Sequence, residues 1–235
     1  MALAQNLLIQ RLPPLERERF LALCEPFELT LSAELSARGQ PLSHAYFPLT
    51  GFVSLVVEVD SYPGLEVGMV GRESMVGSEL LLGMAPTPWR ALVQGAGSSL
   101  RVGAQVLRDQ IDRNPALREV IQTSLLVRLH QQARASACER FHMIGPRLAR
   151  WLLMSQDRAK TDSFHVTHEF MALMLGVRRV GVTVAAGGFQ RNGIIRYHRG
   201  DLTVLDRPAL EAEACSCYAT DKSNHTELTS RRQRA

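Results

Sequence analysis

The sequence has only four cysteines in 235 residues, at positions 24, 138, 215 and 217, and their spacing forms no disulfide framework. Thiols used so sparsely suit a reducing compartment, and the protein is expected to be cytoplasmic. Met1 to Gln10 lacks a charged start followed by a long apolar core, so it does not read as a secretory signal. No apolar run approaches the ~20 residues that span a bilayer, and no membrane partner is expected. No Ser/His/Asp set, paired-acid site or glycine-rich phosphate loop occurs in a supporting context, so no catalytic residue is nominated and an enzyme is not expected. Cys215-Ser216-Cys217 offers two thiolates with one intervening residue, which is short of a zinc site. No metal site is therefore expected, and the pair reads as part of a terminal helix. Cys138 reads either as a small packed residue or as a thiol facing its twin across a dimer axis. His165 and His168 read as surface residues rather than ligands.

What is present is enough for a globular core: 46% of the residues are hydrophobic. The net charge of +4 is modest, but it is unevenly placed. Residues 1–112 hold 8 Lys/Arg against 12 Asp/Glu, whereas residues 113–207 hold 15 against 7. An acidic front and a basic back imply two tasks, with nucleic acid as the partner of the back.

The pattern along the chain agrees with that division. Pro14 to Cys24 reads as a short helix with proline at its start. From about 27 to 103, short apolar stretches alternate with glycines. Val53, Leu55, Val57 and Val59 recur with a period of two. Phe27–Leu31, Ala45–Pro48, Leu65–Val70, Arg90–Gln94 and Ser99–Val102 are further strand candidates, which together predict a sandwich, barrel or roll. Helical signals resume near Gln105. Asn114 and Pro115 then form a strong helix start, with no breaker before Gly145-Pro146. Leu117, Val120, Ile121, Leu125, Val127 and Leu129 make this helix apolar on more than one face, enough to serve both the strand domain and a second subunit. Pro146 opens another helix over Arg147–Asp157, and a last one is expected over Ala209–Tyr218. The polar tail, 219–235, is expected to be disordered.

The most informative stretch runs from His165 to Asp206. Thr167 can cap a helix whose first turn holds Glu169. Gly176 can end it in a left-handed conformation. Arg178 and Arg179 open a second helix through Val182, Ala186 and Phe189. Its β-branched residues and Gly187-Gly188 favour a strand by propensity alone, but the flanking motif favours a helix. Ile194-Ile195-Arg196-Tyr197 and Leu202-Thr203-Val204-Leu205 then flank His198-Arg199-Gly200-Asp201 as a tight hairpin. Helix, turn, helix and basic hairpin describe a winged helix-turn-helix.

This order of elements, across roughly residues 15–218, resembles the Crp/Fnr family of bacterial transcription regulators. The likeness is strongest from Arg140 to Leu205. There Arg147-Leu148-Ala149-Arg150-Trp151-Leu152-Leu153, Leu175-Gly176-Val177-Arg178-Arg179, Val182-Thr183-Val184-Ala185-Ala186 and Ile194-Ile195-Arg196-Tyr197-His198-Arg199-Gly200 are similar to the family's DNA-binding domain. The resemblance implies an α+β fold: a cyclic-nucleotide-binding-like β-roll sensor over 14–113, a dimerisation helix over 114–139 and a winged helix-turn-helix over 140–218. It implies a homodimer on double-stranded DNA, and RNA polymerase as a further partner if the protein is an activator. The alternative is a small-molecule signal-binding module acting through protein partners.

In such a domain the second helix enters the major groove by its N-terminal residues. The resemblance makes Arg179 the base reader, through guanine O6 and N7. Arg178, Val180 and Thr183 are its neighbours on that helix. Val180 stands where the best-known relatives carry an acid, so the preferred sequence should differ from theirs. Thr167, Arg196, His198 and Arg199 are candidate phosphate contacts. In the front half the nucleotide cassette is altered. Relatives that bind cyclic nucleotides carry a Gly-Glu pair for the ribose and an Arg followed by a small residue for the phosphate. Here Gly77-Ser78-Glu79 displaces the glutamate by one residue, which in an extended segment would reverse its face, and Arg90-Ala91 follows Pro86, Pro88 and Trp89. Gly77, Ser78, Glu79, Arg90 and Ala91 are the candidate effector contacts. A complete cyclic-nucleotide site is not expected, and no cofactor is required. The N-terminal cysteine cluster of the iron-sulfur relatives is absent.

Overall fold

The computed structural model describes residues 5–60, 62–84 and 86–230. They divide into two compact units. The first takes the chain to Val56 together with Gly68–Arg128, and the second takes Val57–Val67 together with the chain from Leu129.

The first unit opens with α1 (Pro14–Leu21), which has proline in its first turn, where no backbone N–H is needed. A β-roll follows from β1 (Glu25–Leu29), β2 (Glu34–Ser36), β3 (His44–Pro48), β4 (Phe52–Val59), β5 (Tyr62–Val70), β6 (Arg90–Gly95) and β7 (Gly97–Gly103), of which the tip of the β4–β5 hairpin, Val57–Val67, is counted with the second unit. One sheet runs β2-β6-β4-β5 and the other β1-β7-β3. The period of two in β4 does not separate a wet face from a dry one: Phe52 to Val56 is buried on both sides, Ser54 included. The corners need glycine. Gly51 has φ +75°, and a Cβ there would meet the carbonyl oxygen of Gly95 at 2.3 Å. Phe20 and Phe47 meet edge to face, with centroids 5.4 Å apart, in a core shared with Leu107 and Ile121.

Two helices close this unit, α2 (Ala104–Arg113) and the first half of α3 (Pro115–Phe141). Asn114 caps α3 as its sequence predicts, accepting from the Leu117 amide at 3.0 Å. Leu117, Val120, Ile121 and Val127 point inward, while Leu126 and Leu129 are 43% and 61% exposed. The apolar residues of α3 therefore do divide between two faces.

The second unit holds the rest of α3, then α4 (Ile144–Ala159), β8 (Ser163–His165), α5 (His168–Leu175), α6 (Arg179–Arg191), β9 (Ile195–His198), β10 (Asp201–Val204), α7 (Arg207–Glu213) and α8 (Cys217–Ser230). Leu148, Leu152 and Leu153 of α4 are fully buried beneath the helix-turn-helix. β8 makes the wing a three-stranded sheet, ordered β8-β10-β9. Among the described residues no single helix is long and apolar enough to cross a membrane.

Two expectations need correction here. The helix expected over 209–218 is two helices, broken between Glu213 and Cys217. The tail expected to be disordered from 219 continues α8 to Ser230, and residues 231–235 lie outside the described part. Charge and ring contacts rather than apolar periodicity hold it. The Asp221 carboxylate takes a 2.7 Å hydrogen bond from Arg150, and the Tyr218 hydroxyl donates to Asp157 at 2.8 Å and accepts from Arg207 at 2.6 Å. Cys138 is the small packed residue of the two readings: it is 2% exposed, with its Sγ 3.5 Å from that of Cys215.

Candidate nucleic-acid interface

The Thr167 hydroxyl accepts from the Phe170 amide at 3.1 Å and so caps α5, the role its sequence position implies. Gly176 ends α5 at φ +62°, where a side chain would be strained. Arg178 is the N-cap residue of α6, in extended conformation, and Arg179 is its first helical residue. The helix forms despite its β-branched residues because Val182, Ala186 and Phe189 bury one face. Gly181 permits close packing there: a Cβ would lie 2.6 Å from Ile144 Cδ1. The opposite face carries Arg179, Val180, Thr183 and Val184, all exposed, with Val180 at 65% and Val184 at 66%. Exposed valines on a helix that already has a buried face are not needed for folding.

The wing turns on Arg199 at φ +50° and Gly200 at φ +91°, two successive positive values that suit a two-residue hairpin. Arg196, His198 and Arg199 are exposed around this turn. A left-handed arginine costs about 1–2 kcal/mol relative to an ordinary conformation, so its place at the tip calls for a reason beyond the turn. Gly200 has no such latitude, because a Cβ would lie 2.5 Å from the His165 ring. Gly200→Ala should destabilise the second unit by about 1–3 kcal/mol. Denaturant unfolding with an unchanged midpoint would show that the turn relaxes freely.

His168 is not the simple surface residue that its sequence position suggests. Its Nδ1 lies 3.1 Å from the Thr183 hydroxyl, and its ring stacks on Tyr197 with centroids 4.3 Å apart. It thus links α5, α6 and the wing. Burial chiefly, and then the nearby charge of Arg179, push its pKa below the ordinary value of 6.5. The unfolded chain then takes up a proton that the folded chain refuses until lower pH. The associated stability is present above about pH 6.5 and is lost as pH falls through the depressed folded value. The thermal midpoint should drop below about pH 6.5 more steeply in the wild type than in His168→Gln. Parallel pH curves would remove His168 from this role.

Gly77, Ser78 and Glu79 lie between β5 and β6, and Arg90 and Ala91 open β6. Gly77, at φ +94°, starts a 3-10 helix over Ser78–Leu82. The one-residue displacement of Glu79 therefore falls in a helical turn, not in the extended segment expected. Ser78, Glu79 and Ala91 are buried. Glu79 Oε1 accepts from Thr87 at 3.1 Å, and Arg90 Nε is paired with Glu34 at 2.9 Å on the adjoining strand. The acid is thus held inside and the arginine is held by a carboxylate.

A different polar cluster occupies the interior of this unit. Arg128, midway along α3, donates to the Met75 carbonyl at 2.7 Å and lies 6.0 Å from the centre of the Trp89 ring. Burial pushes its pKa down, while Glu79 and Glu73 oppose the shift. Arg128 Nη1, Glu79 Oε2, Ser78 Oγ and Trp89 Nε1 are buried without hydrogen-bond partners among the described residues. Unsatisfied polar atoms are costly to bury, and several in one region call for an explanation. Its trace in the sequence is an arginine set among Leu125, Leu126, Val127 and Leu129 of α3.

A Crp-like helix-turn-helix domain matches residues 146–213. The sequence matches none of the curated proteins with which it was compared. Solved structures share the fold at low identity. The c-di-GMP-responsive global regulator CLP of Xanthomonas campestris superposes with a TM-score of 0.66 at 18% identity, over 82% of this chain and 99% of that one. FixK2 of Bradyrhizobium japonicum gives 0.68 at 14%, over 82% and 98%. A CRP-family transcriptional regulator of Thermus thermophilus gives 0.64 at 21%, over 81% and 96%. The β-roll, long helix and winged helix-turn-helix are the fold that these regulators share with this chain. The domain match shows a Crp-like helix-turn-helix over residues 146–213, and the solved structures extend the shared fold to about four-fifths of the chain.

Proposed function

We propose that the protein binds a roughly palindromic DNA site as a homodimer, with α6 in the major groove and the wing on the backbone. The observation that carries this reading is the exposed face of α6, where Arg179, Val180 and Thr183 stand together at the helix start. Arg179 reads a base, with Arg178 beside it. The Val180 and Thr183 methyl groups suit a thymine methyl. Thr167, Arg196, His198 and Arg199 hold phosphates, and the strain at Arg199 supports a function for that side chain.

Leu126 and Leu129 form the dimer seam on the exposed face of α3. Two subunits then present their recognition helices about 34 Å apart, one turn of DNA. The first unit biases DNA binding by taking up an effector. The buried polar atoms around Arg128 favour a small polar or anionic ligand over the cyclic-nucleotide mode of the relatives. If the effect is activation, RNA polymerase is the further partner. The cytoplasm is the proposed setting.

The test is selection of bound DNA from a random pool by the full chain, with and without cyclic nucleotides. Enrichment of an inverted repeat is expected. Failure to enrich any sequence, together with tight cyclic-nucleotide binding, would favour a signal-binding module acting through protein. Leu129→Glu should convert the dimer to monomer in sedimentation and weaken binding to the full site far more than to a half-site. A dimer that survives this change is held by some other surface.

A further inference from the structure

We infer that Cys138, His142, Cys215 and Cys217 form a four-ligand site for a zinc-class divalent ion, which fastens α8 to the end of α3. The four ligands come from two places far apart in sequence. Cys138 and His142 are one helical turn apart at the end of α3, where the His142 amide still donates to the Cys138 carbonyl at 3.0 Å. Cys215 lies in the break after α7, and Cys217 is the first residue of α8. All three thiols are buried and His142 is partly buried. The ligand atoms all lie within 4.8 Å of one another.

The spacing selects the kind of site. Tetrahedral zinc, with Zn–S of about 2.3 Å and Zn–N of about 2.0–2.1 Å, separates two sulfurs by about 3.8 Å and a sulfur from a nitrogen by about 3.5 Å. Here Cys138 Sγ to Cys215 Sγ is 3.5 Å, and Cys217 Sγ to His142 Nδ1 is 3.7 Å. A cluster that interposes several irons between its thiolates needs a wider cage. A Cys138–Cys215 disulfide would use two of the four groups and leave Cys217 and His142 without a role.

The charge also balances. Three thiolates and a neutral imidazole around a divalent ion carry a net charge of −1, and binding releases the thiol protons to solvent. The Arg150 guanidinium is close enough to Cys138 and Cys215 to feel their charge. One of its nitrogens is taken by Asp221, and its Nε is buried without a hydrogen-bond partner among the described residues. A buried cation beside an anionic metal site is matched in charge. Four protein ligands leave no open coordination position, so the site is structural rather than catalytic. It braces the helices that pack around α4, the support of the helix-turn-helix.

Apo full-length protein, kept reduced, is titrated with cobalt(II) and then with zinc. The expected result is the visible spectrum of tetrahedral thiolate-bound cobalt at one equivalent per chain, bleached by zinc. Cys24→Ser should bind as the wild type does, and Cys217→Ser more than about 100-fold more weakly. Zinc should also slow proteolysis within α8, and a chelator should restore it. The inference is overturned if wild-type protein gives no such spectrum, a result that depends on no variant folding. It is also overturned if the Cys138→Ala/Cys217→Ser double variant keeps the spectrum, or if protein purified without added reductant carries a Cys138–Cys215 disulfide in place of a metal ion.

Discussion

Asp221→Ala should lower the stability of the second unit by about 3–5 kcal/mol, the cost of stranding a buried charge. Asp221 is 6% exposed on α8, and its Oδ2 lies 2.7 Å from Arg150 Nη2. Arg134 Nε stands 3.4 Å from the other oxygen. Removing the carboxylate leaves the Arg150 guanidinium inside the protein without this partner. An exposed pair behaves differently: Arg118 with Asp112, at 3.3 Å on the surface, is worth about 0–1 kcal/mol. Asp221→Asn keeps an acceptor and should lose less than Asp221→Ala. The double variant Arg150→Met/Asp221→Leu removes both charges and should recover most of the loss, because the penalty belongs to the unpaired ion rather than to the pair. Denaturant midpoints measure all four proteins. If Asp221→Ala unfolds with the wild type, the Arg150–Asp221 pair contributes nothing to the unit's stability.

That prediction rests on the segment least legible in the sequence. Residues 219–230 have no apolar period, and composition alone assigned them to a tail. A helix held by one buried acid and one tyrosine hydroxyl leaves no periodic trace, since its partners Arg150, Asp157 and Arg207 lie elsewhere in the chain. The thiol cluster was hidden for the same reason. The local spacing of Cys215 and Cys217 shows half a site, while their co-ligands Cys138 and His142 lie more than seventy residues earlier. Local chemistry read well. Asn114 and Thr167 cap the helices they were expected to cap, and Gly176 ends one in a left-handed conformation. The recognition helix is the instructive intermediate. Its propensity pointed to a strand, and only the buried triplet Val182, Ala186 and Phe189 explains why tertiary packing prevails. In the β-roll, the altered cassette was visible as a pattern. That Glu79 faces the interior with Arg128, while Arg90 is held by Glu34, depends on how the 3-10 turn after Gly77 rotates it, which no spacing rule conveys.

Arg179→Ala should weaken binding to the selected site by about 1–3 kcal/mol, roughly 5- to 150-fold, and relax base preference at one position in each half-site. The argument has three steps. Arg179 is the first helical residue of α6, the end of the helix that reaches base edges in this geometry. Its side chain is exposed at the start of that helix. Arginine alone among the residues on this face can donate two parallel hydrogen bonds to guanine, whereas Val180 and Thr183 offer methyl contacts of smaller discriminating power. Arg199→Ala provides the contrast. A phosphate contact at the wing should weaken every sequence alike and reduce the salt dependence by about one charge per subunit, without changing preference. Titrations of the selected site and of a scrambled duplex, each at several salt concentrations, separate the two effects. If Arg179→Ala lowers both affinities by the same factor, the arginine holds a phosphate, and sequence reading passes to Val180 and Thr183.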